Sequence, residues 1–109
     1  MKLSKGKVEL LKKKFPNKIP CVVLKHKSSK LPDIDKHKYL IPYDITFGQF
    51  FYIIRKRLSL DNSQSLFLFI NNQLPPTGLL MSQLFEQQKN NNGYLEIKYM
   101  EESVFGYLE

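Results

Sequence analysis

The chain has no tryptophan, a single cysteine and no apolar run of membrane-spanning length. A transmembrane helix needs ~20 largely apolar residues, and no stretch of signal-peptide length opens the chain, so the sequence reads as that of a cytosolic protein. One cysteine excludes an internal disulfide framework. Cys21 lies in the apolar run "IPCVVL", where it is expected to act as a small buried hydrophobe, and no neighbour would lower its pKa as a nucleophile requires. Glycine is scarce as well, with five in the chain and no glycine-rich phosphate loop. His26 and His37 stand among lysines without an acidic partner at catalytic spacing and are expected to be solvated. No cluster has metal-ligand spacing. The expectation is a protein that is not an enzyme and carries no cofactor.

Acidic residues are scarce in one half. From Met1 to Lys38 twelve lysines face only Glu9, Asp33 and Asp35, a local charge of +9 within a total of +7. Such a half suits an acidic partner, be it a lipid headgroup, a nucleic acid or an acidic peptide, or it is simply a solvated face. The lysines lack regular aromatic interleaving and any nucleic-acid motif, which disfavours the second of these.

What is present is enough for one core. A chain of 109 residues fits a single domain that hides roughly two thirds of its unfolded surface. Its 42% hydrophobic content, with eight Phe and six Tyr, is that of a globular protein. In "SKGKVELLKKKF" Ser4 is an N-cap candidate, and Val8, Leu11 and Phe15 recur at helical spacing until Pro16 ends the element. "NKIPCVVLKH" and "KYLIP" read as strands, the second at a sheet edge because Pro42 has no N–H for a ladder. Thr46 and Gln49 form a capping-box pattern that predicts a helix from Phe47 to about Leu58. "SLFLFINN" predicts a strand closed by a turn at Asn71–Asn72, and "PPTGLLMSQLFEQQ" a loop and short helix. After an "NNNG" turn, "YLEIKYM" alternates as a half-exposed strand. This order predicts an α+β, ubiquitin-like β-grasp: a four-stranded mixed sheet crossed by one central helix.

Two segments carry more apolar surface than one core face needs. On a helical wheel Phe47, Phe51, Ile54 and Leu58 share one face, whereas Phe50 and Ile53 widen the stripe to roughly 160° against the roughly 100° usual for a surface helix. Either a loop or the last helix covers them, or they serve a ligand. Tyr39, Leu40 and Ile41 likewise put bulk on both faces of the predicted edge strand, which is the requirement for an extended peptide to add a strand there, with Lys38 placed to receive an acidic residue. "LFLFI" is apolar on both faces too, and the N-terminal helix, through Val8, Leu11 and Phe15, is the expected cover for its back.

"KYLIPYDITFGQFFYIIRKRL", "FLFINNQLPPTGLLMSQLF", "FPNKIP" and "YMEESVFG" together resemble the autophagy ubiquitin-like modifiers, the group that includes GABA-receptor-associated protein and microtubule-associated light chain 3. The resemblance runs from Leu11 to Gly106 without evident gaps. It implies an N-terminal helical extension over residues 1–15, a ubiquitin-like domain over 16–100 and a flexible tail over 101–109. It also implies protease removal of the residues after Gly106 and conjugation of that glycine to phosphatidylethanolamine, which suits a residue whose missing Cβ lets its carbonyl enter a narrow channel. The partners implied are a tail-processing cysteine protease, activating and conjugating enzymes, receptor peptides of the form W/F/Y-x-x-L/I/V and a phosphatidylethanolamine membrane. The protein is expected to be monomeric in solution, and to move from cytoplasm to autophagosomal membrane when lipidated.

Carried over by position, the aromatic residue of such a peptide would meet Leu11, Pro20, Lys38, Leu40 and Tyr94. The aliphatic residue would meet Tyr39, Ile41, Pro42, Ile45, Phe50, Ile53 and Ile54, with Lys7, Lys18 and Arg57 as charged rim. The resemblance thus favours a ligand role for Phe50 and Ile53. Two departures stand out: the first of the family's two N-terminal helices is expected to be absent or reduced to Met1 to Leu3, and Lys7 stands where relatives often have an acid, which favours acidic flanks on a ligand. A peptide-binding adaptor with an unprocessed tail is the alternative reading.

Overall fold

The computed structural model describes residues 2–102. Three helices, α1 (Lys5–Lys14), α2 (Phe47–Arg57) and α3 (Met81–Gln88), alternate with four strands, β1 (Lys18–Lys25), β2 (Lys38–Pro42), β3 (Phe67–Ile70) and β4 (Leu95–Met100). Local chemistry sets most boundaries. The hydroxyl of Ser4 accepts from the Lys7 amide at 3.1 Å and opens α1. Thr46 and Gln49 form the reciprocal capping box that opens α2, with Thr46 Oγ1 accepting from the Gln49 amide at 3.1 Å and Gln49 Oε1 from the Thr46 amide at 2.9 Å. Asn71 and Asn72 take φ of 50° and 63°, so the turn after β3 closes on the reciprocal Ile70 and Gln73 backbone bonds.

The sheet order is β2-β1-β4-β3, with β1 antiparallel to β2 and parallel to β4. The final strand therefore lies inside the sheet, and its alternation is that of the half-exposed strand the sequence predicts. Its polar residues Glu96 and Lys98 alternate onto the reverse face, while Leu95, Ile97 and Tyr99 enter the main core.

That core fills the space between the sheet and α2. The helix buries Phe47, Phe50, Ile54 and Leu58, not the set with Phe51 that a narrow stripe selects; Phe51 is only partly buried. The stripe is wider because α3 supplies Met81 and Leu84, and the β1–β2 connection supplies Leu31 and Ile34, to the same core. Phe50 is thus a core residue at 0% exposure, whereas Ile53 stays at 40%. Cys21 is fully buried, as expected, and burial raises its thiol pKa.

A smaller cluster occupies the reverse face, where α1 lays Val8 with Leu3 onto Val22 and Tyr94, and Leu11 and Leu24 pack against it. The turn before β4 closes against α1 through Gly93, whose φ of +91° favours glycine and whose added Cβ would lie 3.3 Å from Val8 Cγ1. The expectation that α1 covers the back of β3 is not met. β4 and β1 fill the centre, so the helix over β1 does not reach the far edge strand, and Phe15 remains 42% exposed. The histidines differ from expectation as well: His26 is buried, its Nδ1 accepting from the Ser28 amide at 3.1 Å, and His37 Nδ1 lies 2.8 Å from the Val23 carbonyl.

Candidate functional site

β2 is an edge strand, and its register shows which backbone groups face outward. Val23 N donates to His37 O, and Tyr43 N to Asn17 O, so odd-numbered residues of this stretch pair their amides and carbonyls with β1. Lys38, Leu40 and Pro42 alternate with them and turn their backbone groups outward. Pro20 lies opposite Leu40, at a pair that needs no N–H from it, and Pro42 has no N–H to present. The open donors and acceptors of this edge are those of Lys38 and Leu40.

Alternation sends the side chains of this edge strand to opposite faces of the sheet. On the reverse face Pro20 is paired with Leu40 and Val22 with Lys38, while Leu11 packs against the cluster containing Tyr94. Tyr94 and Pro20 are buried, Leu11 and Leu40 half-buried, and Lys38 exposed. Leu11 thus comes to this face from α1, and Lys38 is its exposed cation. On the α2 face Tyr39 and Ile41 point inward, Tyr39 meeting Phe50 edge to face at 6.4 Å between ring centroids. Ile54 is buried in the same core, Ile45 is half-buried and Ile53 is exposed, whereas Pro42, half-buried, follows Leu40 by two residues and falls by alternation on the reverse face. The Tyr39 phenol donates to the Lys36 carbonyl at 2.7 Å, and burial pushes its pKa up to about 12.

The expected charged rim is distributed. Lys7 and Lys18 are exposed, whereas Arg57 is ion-paired to Asp35 at 3.0 Å. Sequence reasoning missed Asp35, and also Lys36, whose ammonium lies 5.1 Å from the Tyr39 ring centroid. No spacing signal marks either, because both sit in an irregular connection. Gly106 lies outside the described residues. Glu101, assigned to the tail, accepts from the Lys30 amide at 2.8 Å. Among the described residues no group of three or more His, Cys, Asp or Glu could hold a metal ion, and no helix is long and apolar enough to cross a membrane.

A four-stranded mixed sheet crossed by α2, with an open edge strand between two apolar sets, defines a ubiquitin-like protein. The family described as "Autophagy protein Atg8 ubiquitin like" matches residues 4–106. Autophagy-related protein 8 of Candida glabrata is 45% identical over 103 residues, covering 94% of this chain and 87% of that protein. Autophagy-related protein 8e of Arabidopsis thaliana is 46% identical over 102 residues, covering 94% and 84%. Among solved structures, Trypanosoma brucei ATG8 aligns with a TM-score of 0.83 at 29% identity, over 94% of this chain and 88% of that one. Plasmodium falciparum Atg8, in complex with a Plasmodium falciparum Atg3 peptide, aligns with a TM-score of 0.84 at 34% identity, over 91% and 88%. The chain belongs to the Atg8 family of autophagy ubiquitin-like proteins.

Proposed function

We propose that this chain is a conjugated modifier of autophagy, joined through Gly106 to phosphatidylethanolamine, and that it docks W/F/Y-x-x-L/I/V peptides along β2. The observation that carries the docking half is the position of the two apolar sets on opposite faces of an open edge strand. In an extended peptide, residues three apart point to opposite sides and lie roughly 10 Å apart. A peptide strand bonded to Lys38 and Leu40 would therefore send its aromatic residue toward Pro20, Leu40 and Leu11, with Tyr94 beneath. Its aliphatic residue would go toward Ile53 and Ile45, over the floor made by Phe50 and Ile54.

Two anchors at ~1.5–3 kcal/mol each and a few edge hydrogen bonds at ~1 kcal/mol, less the ordering of the peptide, correspond to affinities of about micromolar. A weak, reversible grip of this kind gains avidity when many copies share one membrane. The Atg3 peptide bound by the Plasmodium relative supports a conjugating enzyme among the partners.

The conjugation half rests on family membership and on the glycine at position 106. A cysteine protease would break the Gly106–Tyr107 peptide bond. Water would leave Gly106 as a carboxylate. The activating enzyme would join it to the adenylyl group of ATP with loss of pyrophosphate, and a cysteine thiolate would displace AMP to give the thioester. The ethanolamine nitrogen would finally displace the thiolate, lose a proton and form an amide. The protein would be cytoplasmic before this step and held on autophagosomal membrane after it, acting as the group transferred and not as the catalyst.

Intact-mass analysis of the protein recovered from its own cells tests this half. Loss of Tyr107, Leu108 and Glu109 with a phospholipid-sized gain is expected in the wild type and not in Gly106→Ala. An unchanged full-length mass in both under starvation would leave the unprocessed adaptor.

A further inference from the structure

The connection between β1 and β2 is fixed at several points. Tyr99 Oη donates to the Pro32 carbonyl at 2.7 Å and accepts from the Ile34 amide at 3.0 Å. Lys25 Nζ reaches the Leu31 carbonyl at 3.3 Å and Asp33 at 2.8 Å. Leu31 and Ile34 are buried in the main core. The backbone is therefore held immediately before Asp35, which is thereby presented to the last turn of α2. There Asp35 Oδ1 accepts from Arg57 Nε at 3.0 Å, and Oδ2 accepts from Nη2 at 3.5 Å, a two-point pairing of carboxylate and guanidinium.

This pair borders the aliphatic half of the groove. Arg57 lies one helical turn beyond Ile53, the exposed apolar side chain of that set. Lys36 is the neighbouring cation, set over the Tyr39 ring.

We propose that Asp35 is a built-in competitor for Arg57, occupying the guanidinium that a carboxylate beside the aliphatic anchor of a docked peptide would otherwise take. The inference rests on the peptide-groove reading above. A peptide carboxylate could reach Arg57 only by displacing Asp35, which would then stand nearby as a like charge. An exposed ion pair is weak, so displacement is feasible. Asp35 nevertheless competes from a tethered position, at high effective concentration. The chain should therefore discriminate less in favour of acidic residues around the aliphatic anchor than Arg57 alone would make it.

The test is a titration of wild type, Asp35→Asn, Arg57→Gln and the double variant with two W-x-x-L peptides that differ only in Glu or Gln on both sides of the leucine. Asp35→Asn is expected to raise the Glu-to-Gln affinity ratio about three- to tenfold, with the Gln peptide's own affinity within about twofold of wild type, and Arg57→Gln should abolish that gain. Asp33→Asn, which removes the same charge from a residue paired with Lys25, is expected to move the ratio less. Equal shifts in Asp33→Asn and Asp35→Asn, a gain that survives Arg57→Gln, or an unchanged ratio would overturn the inference alone. Failure of either peptide to bind the wild-type chain would overturn the groove reading and this inference with it.

Discussion

Among the described residues, nineteen buried side chains form one cluster on the α2 side of the sheet, and Leu3, Val8, Val22 and Tyr94 form a cluster of four on the reverse side. Both sides border the same edge strand, so the two halves of the proposed groove would be built on unequal supports. In the aliphatic half, Phe50 and Ile54 hold the fold together and can serve a ligand only as a floor. In the proposed aromatic half, the walls are half-buried Leu11 and Leu40, and the support is a short helix whose Val8, with Leu3 before it, packs on Val22 and Tyr94. Binding and stability should therefore separate in one half and be entangled in the other.

The largest effect is expected within the entangled half. Phe50→Ala should cost about 3–5 kcal/mol in denaturant unfolding, the range for a truncated core phenylalanine, while Ile53→Ala on the same helix should cost less than about 1 kcal/mol and still weaken peptide binding. Similar stability losses in the two variants would erase the distinction between floor and wall. Val8→Ala comes next, at about 2 kcal/mol, with amide exchange speeding up in α1 before it does in α2. Uniform acceleration across the sheet would mean that the reverse cluster is no separate unit.

The smallest effect concerns the junction where β4 ends. Desolvation pulls the Glu101 pKa upward, but bonds from its own backbone, the Lys30 amide and the Ser29 hydroxyl outweigh it, and the folded value lies below the ordinary 4.5. A depressed carboxyl contributes stability above its unfolded pKa and loses it as pH falls through the folded one. The Lys30 amide resonance should accordingly titrate with a midpoint below 4.5 and lose that titration in Glu101→Gln. A midpoint at or above 4.5 would contradict the bonding pattern.

The fold was readable where local chemistry decides conformation. Ser4, the Thr46–Gln49 box, Pro16 and the Asn71–Asn72 turn each act on their own backbone, and their elements form where the sequence places them. Long-range partners were harder to read. The place of β4 inside the sheet depends on a parallel pairing with β1 that alternation cannot express. The wheel left Phe50 outside the core stripe because helical periodicity cannot show what other elements bring to that side: Tyr39 of β2 meets its ring edge to face, and Leu31 and Ile34, from an irregular connection, join the same core. The residues proposed for the groove came from family resemblance, and the register of β2 adds what resemblance did not give: Lys38 and Leu40 as the pair with open backbone groups. The Asp35–Arg57 pair was invisible, because 22 positions separate its members and neither sits in a periodic pattern.

The central claim is strand addition at β2, and residue-resolved amide hydrogen exchange with and without a W-x-x-L peptide tests it most directly. The amides of Lys38 and Leu40 should gain protection on binding, while those of Tyr39 and Ile41, already directed at β1, stay as they were. Tight binding with no change at Lys38 and Leu40 would show that the peptide docks elsewhere, and the account of this edge as the functional site would fail.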